Sequence, residues 1–373
     1  MRLQISHIVA KIKEIIHFLE NIAPRPLQED YDNAGLLTGN QQSEADNVLV
    51  SLDVTEAVID EAIKKKCNLI ISHHPIIFRG LKKLTGSNYI ERSVLKAIKN
   101  DIALYAIHTN LDNVNTGVNK KIGDLLGVKH MQVLLPKNDN LAKLTTFVPS
   151  DHTEAVLDAL AKAGAGNIGN YKKCSFRLKG KGTFQPTESA NPYVGESNKL
   201  EEVDEDRIEV LFPLHLQHKV LSALKNAHPY EEVAYYLHQL VNENQDTGSG
   251  MIGELENSMP AEEFIEYLKK VFQVPFIRHT ALVKDTIKKI AWCGGSGSFL
   301  LKHAIKQQAD IFISADFKYH EFFDAEDHII IADVGHYESE QYTQDLLIKL
   351  MNEQFSNNKF YKTEVNTNPI RYS

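Results

Sequence analysis

The chain has 373 residues, room for two to three domains at roughly 150 residues each. Lysine plus arginine is 41 and aspartate plus glutamate 49, a net charge of −8, which argues against a protein that grips nucleic acid by phosphate contacts alone. Hydrophobic residues make up 43%, yet no apolar run approaches the ~18 residues of a membrane span.

The opening MRLQISHIVAKIKEII reads as an amphipathic helix over 6–18 with Ser6 as N-cap, not as a signal peptide, and Pro24 and Pro26 stop it. Residues 31–39 read as a turn-rich loop. An alternation follows. A strand over 47–53 leads to a helix from Thr55 to about Lys65, and a strand over 68–72 ends in His73-His74-Pro75. A helix over 88–99 is followed by a strand over 102–108 that ends in Thr109-Asn110-Leu111-Asp112, then by a helix over 117–126. Apolar strands with helices between them predict an α/β domain around a central parallel or mixed sheet.

The rhythm breaks near Gly127. Residues 141–240 read as strand, helix (153–163), strands, strand (208–212), helix (215–226) and strand (233–240), a ferredoxin-like α+β pattern. The acidic stretch 185–207 reads as an exposed loop or hairpin tip. After Gly248-Ser249-Gly250 the first rhythm returns: a helix over 260–272, a strand over 287–293 into Gly294-Gly295-Ser296-Gly297, and a helix over 299–308. A strand over 311–315 precedes Asp316, and a strand over 328–334 precedes Gly335-His336 and a helix to about Phe355. The predicted organisation is therefore a split α/β domain, 1–130 and 249–373, interrupted by an inserted domain over 131–248.

Three cysteines, far apart, argue against a disulfide framework, fit a reducing cytoplasm and exclude a cysteine-rich zinc site. Any metal would use carboxylates and some of the 16 histidines. Metal-capable side chains fall just beyond three strands: His73 and His74, then Asp112, then His336 and Glu340. Ligand sites of open α/β sheets form at the carboxyl ends of strands, so one cleft can collect all five. Each has an ordinary alternative. His73-His74 would point to opposite faces if the strand continued. Asp112 can form an Asx turn with Asn113. His336 and Glu340 can be a helix-surface pair four residues apart. Glu338, two residues on from His336, is assigned to solvent. Three imidazoles and two carboxylates are generous for one ion and suit two, which together can deprotonate a water and clamp an oxyanion. The set is compatible with Zn, Fe, Mn, Co or Ni. His108 is a candidate proton carrier or ligand, and His320, beside Asp316, Lys318 and Glu321, a candidate acid–base residue. The glycine run 294–297 can also receive an anion at a helix start.

Ser72-His73-His74-Pro75, His108-Thr109-Asn110-Leu111-Asp112 and Asp333-Val334-Gly335-His336-Tyr337-Glu338-Ser339-Glu340 together resemble the GTP cyclohydrolase I type 2 homolog family, also called NIF-three-like. The resemblance spans nearly the whole chain. It implies two divalent ions per subunit, zinc foremost, on the same five residues. His228-Pro229-Tyr230-Glu231-Glu232 resembles the PII-like, CutA-type insert of longer members. The resemblance also implies a toroidal homohexamer. Two functions follow as expectations. One is a cytoplasmic metal-dependent hydrolase acting on a nucleotide or other phosphate-bearing small molecule. The other is a non-catalytic regulatory or scaffold protein whose PII-like domain senses a small effector. Membrane and nucleic acid are not expected partners.

Overall fold

The computed structural model of the chain describes residues 9–372. They separate into two compact units, one built from the chain up to Leu135 together with Thr247 onward, the other from Pro136–Asp246. The first unit begins with β1 (Gly35–Thr38), β2 (Asn47–Ser51), β3 (Leu69–Ser72), β4 (Ala103–Ala106) and β5 (Lys129–Lys137). Next come β6 (Leu141–Pro149), β7 (Phe176–Phe184), β8 (Glu201–Pro213) and β9 (Tyr235–Leu240) of the second unit. The first unit resumes with β10 (Asn244–Pro260), β11 (Arg278–His279), β12 (Thr286–Ser296), β13 (Ile311–Ala315), β14 (Ile330–Asp333) and β15 (Lys359–Lys362).

The first unit holds two mixed sheets rather than one central sheet. Five strands run in the order β1-β4-β3-β2-β15, with β2, β3, β4 and β15 parallel and β1 antiparallel on β4. Six run in the order β11-β14-β13-β12-β10-β5, with β12, β13 and β14 parallel, β10 antiparallel to β12 and β11 antiparallel to β14. The α/β class is the one the alternation implies. Hydrophobic rhythm identifies strands and crossover helices but not which strands pair. One core joins the sheets: Val50, Ile71 and Tyr105 of the first pack in the same cluster as Ile290, Trp292 and Ile313 of the second. Separate clusters cover each sheet's other face, with Ile70 and Leu104 in one and Phe312 and Ile331 in the other. Burial on both faces explains why β3, β13 and β14 read as continuous apolar runs.

Helix starts follow side-chain caps. The Thr55 hydroxyl accepts from the Val58 amide at the start of the helix Glu56–Lys64, and the Asn88 side chain accepts from the Glu91 amide at the start of Tyr89–Lys99. The first helix spans Ile12–Ile22, later than the sequence implies, and Ser6 lies outside the described residues. Residues 35–38 of the expected loop are β1. The Gly248-Ser249-Gly250 break lies inside the 17-residue β10, and His336–Phe355 is two helices, His336–Glu340 and Thr343–Gln354.

In the second unit the element order is βαββαβ and the strand order β7-β8-β6-β9, with all neighbours antiparallel. Helices Thr153–Lys162 and Gln217–Ala227 pack on the sheet face carrying Leu144, Val148, Ile208 and Phe212. The acidic run Glu201–Arg207, expected in a loop, is the first half of β8. Its charges alternate across the strand, and Lys181 of β7 reaches both Glu202 and Asp204, at 3.2 and 3.1 Å.

Candidate metal centre

The parallel strands deliver side chains to one place at their carboxyl ends. The chain leaves strand geometry at Ser72, whose hydroxyl donates to the His74 carbonyl at 2.8 Å. Both imidazoles therefore turn to the same side, with ring centroids 5.0 Å apart. From β4 come His108 and, on the one-turn helix Thr109–Asp112, Asp112. From β14, across Gly335, come His336 and Glu340 of the helix His336–Glu340, whose i,i+4 spacing puts His336 Nε2 3.0 Å from Glu340 Oε2.

Donor atoms lie within 4.8 Å of one another in three groups: His73, His74 and His108; His74, His336 and Glu340; His73, Asp112 and Glu340. Glu340 divides its oxygens between two of them. Oε2 lies 3.0 Å from both His74 Nε2 and His336 Nε2, while Oε1 lies 3.8 Å from His73 Nε2. His73 Nε2 is in turn 3.5 Å from Asp112 Oδ1. That separation is too long for a hydrogen bond. Both atoms are buried without a hydrogen-bond partner. A buried ring nitrogen and a carboxylate oxygen facing each other without a hydrogen bond form a site that a cation could fill.

Every imidazole in the cluster is held at Nδ1, leaving Nε2 to face the donors. His73 Nδ1 donates to the Ile107 carbonyl at 2.9 Å. His74 Nδ1 meets Asp53 Oδ1 at 2.8 Å, His108 Nδ1 meets Asp32 Oδ1 at 2.8 Å, and His336 Nδ1 meets Asp316 Oδ2 at 2.6 Å. Such partners fix the tautomer and the ring orientation of metal-binding histidines. They are themselves anchored: Thr367 donates to Asp53, and the Thr109 hydroxyl and amide donate to Asp32. Sequence reasoning missed Asp53 and Asp32. Asp53 follows β2, at the end where its parallel neighbours also finish, which is a readable signal. Asp32 precedes β1, and because β1 runs antiparallel to β4 its start lies at the finish of β4.

The electrostatics of this pocket without a bound cation follow from carboxylates crowding imidazoles. Burial pulls the His74 pKa down, but hydrogen bonds to Asp53 and Glu340 overcome it and push it up to about 10. Burial likewise pulls the His336 pKa down, but Glu340 and Asp316 overcome it and push it up to about 11. Burial would raise Glu340, but His336 and its fellow imidazoles hold it well below the carboxylate range. Asp112 is raised, chiefly by burial. Asp32 is held down at about 2: partial burial works the other way, and the His108 and Thr109 hydrogen bonds win.

Other expectations resolve as follows. His320 is not brought into the cluster. It is exposed on the 3-10 turn Tyr319–Ala325, and its ring stands against Tyr319 and Phe323. Past Asp316 the chain turns outward, so proximity to a strand end in sequence does not persist. Glu338 faces the interior, not solvent, and accepts from Asn368 Nδ2 at 2.8 Å. The glycine run 294–297 gives Glu340 room: Gly295 has φ +60°, and a Cβ there would run into Glu340 Oε1.

An α/β chain whose strand ends gather histidines and carboxylates into groups that could hold a metal ion is a candidate metal-binding protein. Residues 10–369 match the model of the Duf34/NIF3 (NGG1p interacting factor 3) family, and the chain belongs to that family. It is 42% identical to the "GTP cyclohydrolase 1 type 2 homolog" of Halalkalibacterium halodurans over 359 residues, 96% of each chain. It is 37% identical to the protein of the same name from Bacillus subtilis, over 96% of this chain and 98% of that one. A crystal structure of a Bacillus cereus protein related to NIF3 superposes with a TM-score of 0.86 at 37% identity, covering 98% of this chain and all of that one. Among the described residues, no helix is long and apolar enough to cross a membrane.

Proposed function

We propose that the chain is a metal-dependent hydrolase holding two divalent cations, with His73, His74, Asp112, His336 and Glu340 as ligands. The observation that carries this reading is the split of Glu340 between two donor groups, each with its own imidazole and further donor. A single structural ion uses about four ligands, and these groups offer more. When bound, such ions act as Lewis acids and bring the pKa of water towards neutrality. Zinc suits the imidazole-rich set, with Fe, Mn, Co or Ni as alternatives.

The chain's own residues divide the remaining work. Asp53 and Asp316 lock the rings of His74 and His336, and the Ile107 carbonyl locks that of His73. His108, braced by Asp32, places Nε2 beside the cluster, where it can take a proton from a nucleophile or return one to a leaving group. Phe78 packs edge-on against the His108 ring at 5.5 Å. Asp32→Asn is therefore expected to lower kcat by about 10–100-fold while metal content stays at the wild-type level. Turnover measured alongside elemental analysis checks this, and parallel loss of metal would make His108 a ligand instead.

The substrate class we propose is a nucleotide or related phosphate-bearing small molecule, and the names of the curated relatives put GTP first in the panel. Metal-loaded protein is expected to turn over at least one nucleotide, and His74→Ala to lose that activity by at least about 100-fold. Equal turnover in both proteins would reject the hydrolase. The family resemblance extends the proposal to a homohexamer, for which light scattering should return about six times the 42.1 kDa chain mass.

A further inference from the structure

The second unit contains a cavity of about 690 Å³ over the sheet face opposite its helices. Strand alternation sets its floor. Gly180 and Gly182 of β7 lie on the same face as Glu205 of β8, with Gly180 directly paired to Glu205. Neither glycine has a left-handed φ, so the backbone does not require glycine at either position. A Cβ at Gly182 would run into the Glu205 carboxylate, which lies flat across the strand. A Cβ at Gly180 would meet nothing within 4 Å and would project into open space. Glycine inside a strand commonly marks the close approach of another group.

Aromatic rings wall this space. Phe184 and Tyr230 stand 5.7 Å apart at 59°, Tyr193 and Tyr230 6.2 Å apart at 45°, and Phe147 and Tyr236 5.8 Å apart at 81°. Rings at such angles enclose a rounded group better than they sandwich a flat one. Glu205 is only 8% exposed among them. The buried Tyr230 hydroxyl faces the Glu205 carboxylate, and burial and that neighbour raise its pKa. The cations near the cavity are engaged elsewhere: Arg207 with Glu209 at 2.5 Å, and Lys181 with Glu202 and Asp204. Lys179 is in register with Asp206, whose carboxylate accepts from the Thr153 hydroxyl on the helix side, so the Lys179 side chain starts from the sheet face opposite Glu205. A buried carboxylate is costly without a cation, and aromatic faces attract cations.

We propose that this cavity is a binding site for a small organic cation, an alkylammonium group on an apolar body, held between the aromatic rings and the Glu205 carboxylate. The body lies over the bare backbone of Gly180, and the cationic head meets Glu205 and Tyr230. The site is independent of the metal centre, since every residue it uses lies within Pro136–Asp246.

Calorimetric titration of the full-length protein with benzyltrimethylammonium, and with phenylacetate as the anion of matching size, tests the assignment. Wild-type protein is expected to bind the cation and not the anion. Glu205→Gln should weaken the cation by about tenfold or more, equivalent to ~1.4 kcal/mol. Gly180→Val should abolish binding while leaving the circular dichroism spectrum and Tm intact, because valine suits a strand and enters empty space. Failure of wild-type protein to bind the cation at millimolar concentration, tighter binding of phenylacetate, or unchanged affinity in Gly180→Val would each overturn the proposal. Unchanged affinity in Glu205→Gln would overturn the cation–carboxylate pairing on which it depends.

Discussion

Glu340→Gln is expected to empty the centre of both cations, whereas Asp112→Asn should release only one. Glu340 is the residue whose two oxygens face different donor groups, Oε2 towards His74 and His336 and Oε1 towards His73. Asp112 contributes only to the group it forms with His73 and Glu340. Glutamine keeps the shape but removes the charge and one oxygen acceptor, so neither group retains the carboxylate they share. Elemental analysis after dialysis should give about two metal equivalents for wild type, near zero for Glu340→Gln and about one for Asp112→Asn, with affinity in Glu340→Gln reduced by well over the ~100-fold typical of losing a ligand's supporting partner. Two retained equivalents in Glu340→Gln would disprove the bridging arrangement.

Cation binding should also expel protons above neutral pH. Without a cation, His74 and His336 stay protonated to about pH 10 and 11, because Glu340, Asp53 and Asp316 stabilise imidazolium. Metal ligation needs the neutral ring. At pH 8 loading is therefore expected to release about two protons, measurable as buffer-dependent heats when zinc is titrated in buffers of different ionisation enthalpy. Apparent affinity should rise with pH through this range and fall on acidification. The sign for folding is the reverse. Both pKa values lie above the 6.5 of the unfolded chain, so the stability these pairs give the metal-free fold is fully present below pH 6.5 and is lost as pH rises through about 10–11. Zinc binding with no net proton release at pH 8 would show that the imidazoles are already neutral and the pairing is misread.

Much of this centre was legible because chemistry sat where topology puts it. His73, His74, Asp112, His336 and Glu340 each follow a recognisable apolar strand, and such strands finish at one edge of a parallel sheet. Asp32 was not legible, because its place depends on β1 being antiparallel, and four residues in a glycine-rich turn carry no periodicity. His320 misled for the opposite reason: it follows a strand closely, but the intervening chain turns it outward. The acidic run at 201–207 looked like solvent-exposed loop because its neutralising partner, Lys181, lies on another strand. Pairing also hid the edge of the five-stranded sheet, since nothing local to β15 announces that Lys359–Lys362 lies beside Asn47–Val50.

That last pairing, with the division of the donors between residues 73–112 and 336–340, bears on how the protein is made. A nascent chain leaving the ribosome carries His73, His74, His108 and Asp112 long before the residues that complete their surroundings exist. Until His336 and Glu340 emerge it can offer an ion only a partial grip, and until β15 docks on β2 the sheet beneath that grip lacks its last strand. On the proposed two-cation reading, complete loading would await the finished polypeptide, and prematurely terminated products would lack the full donor set.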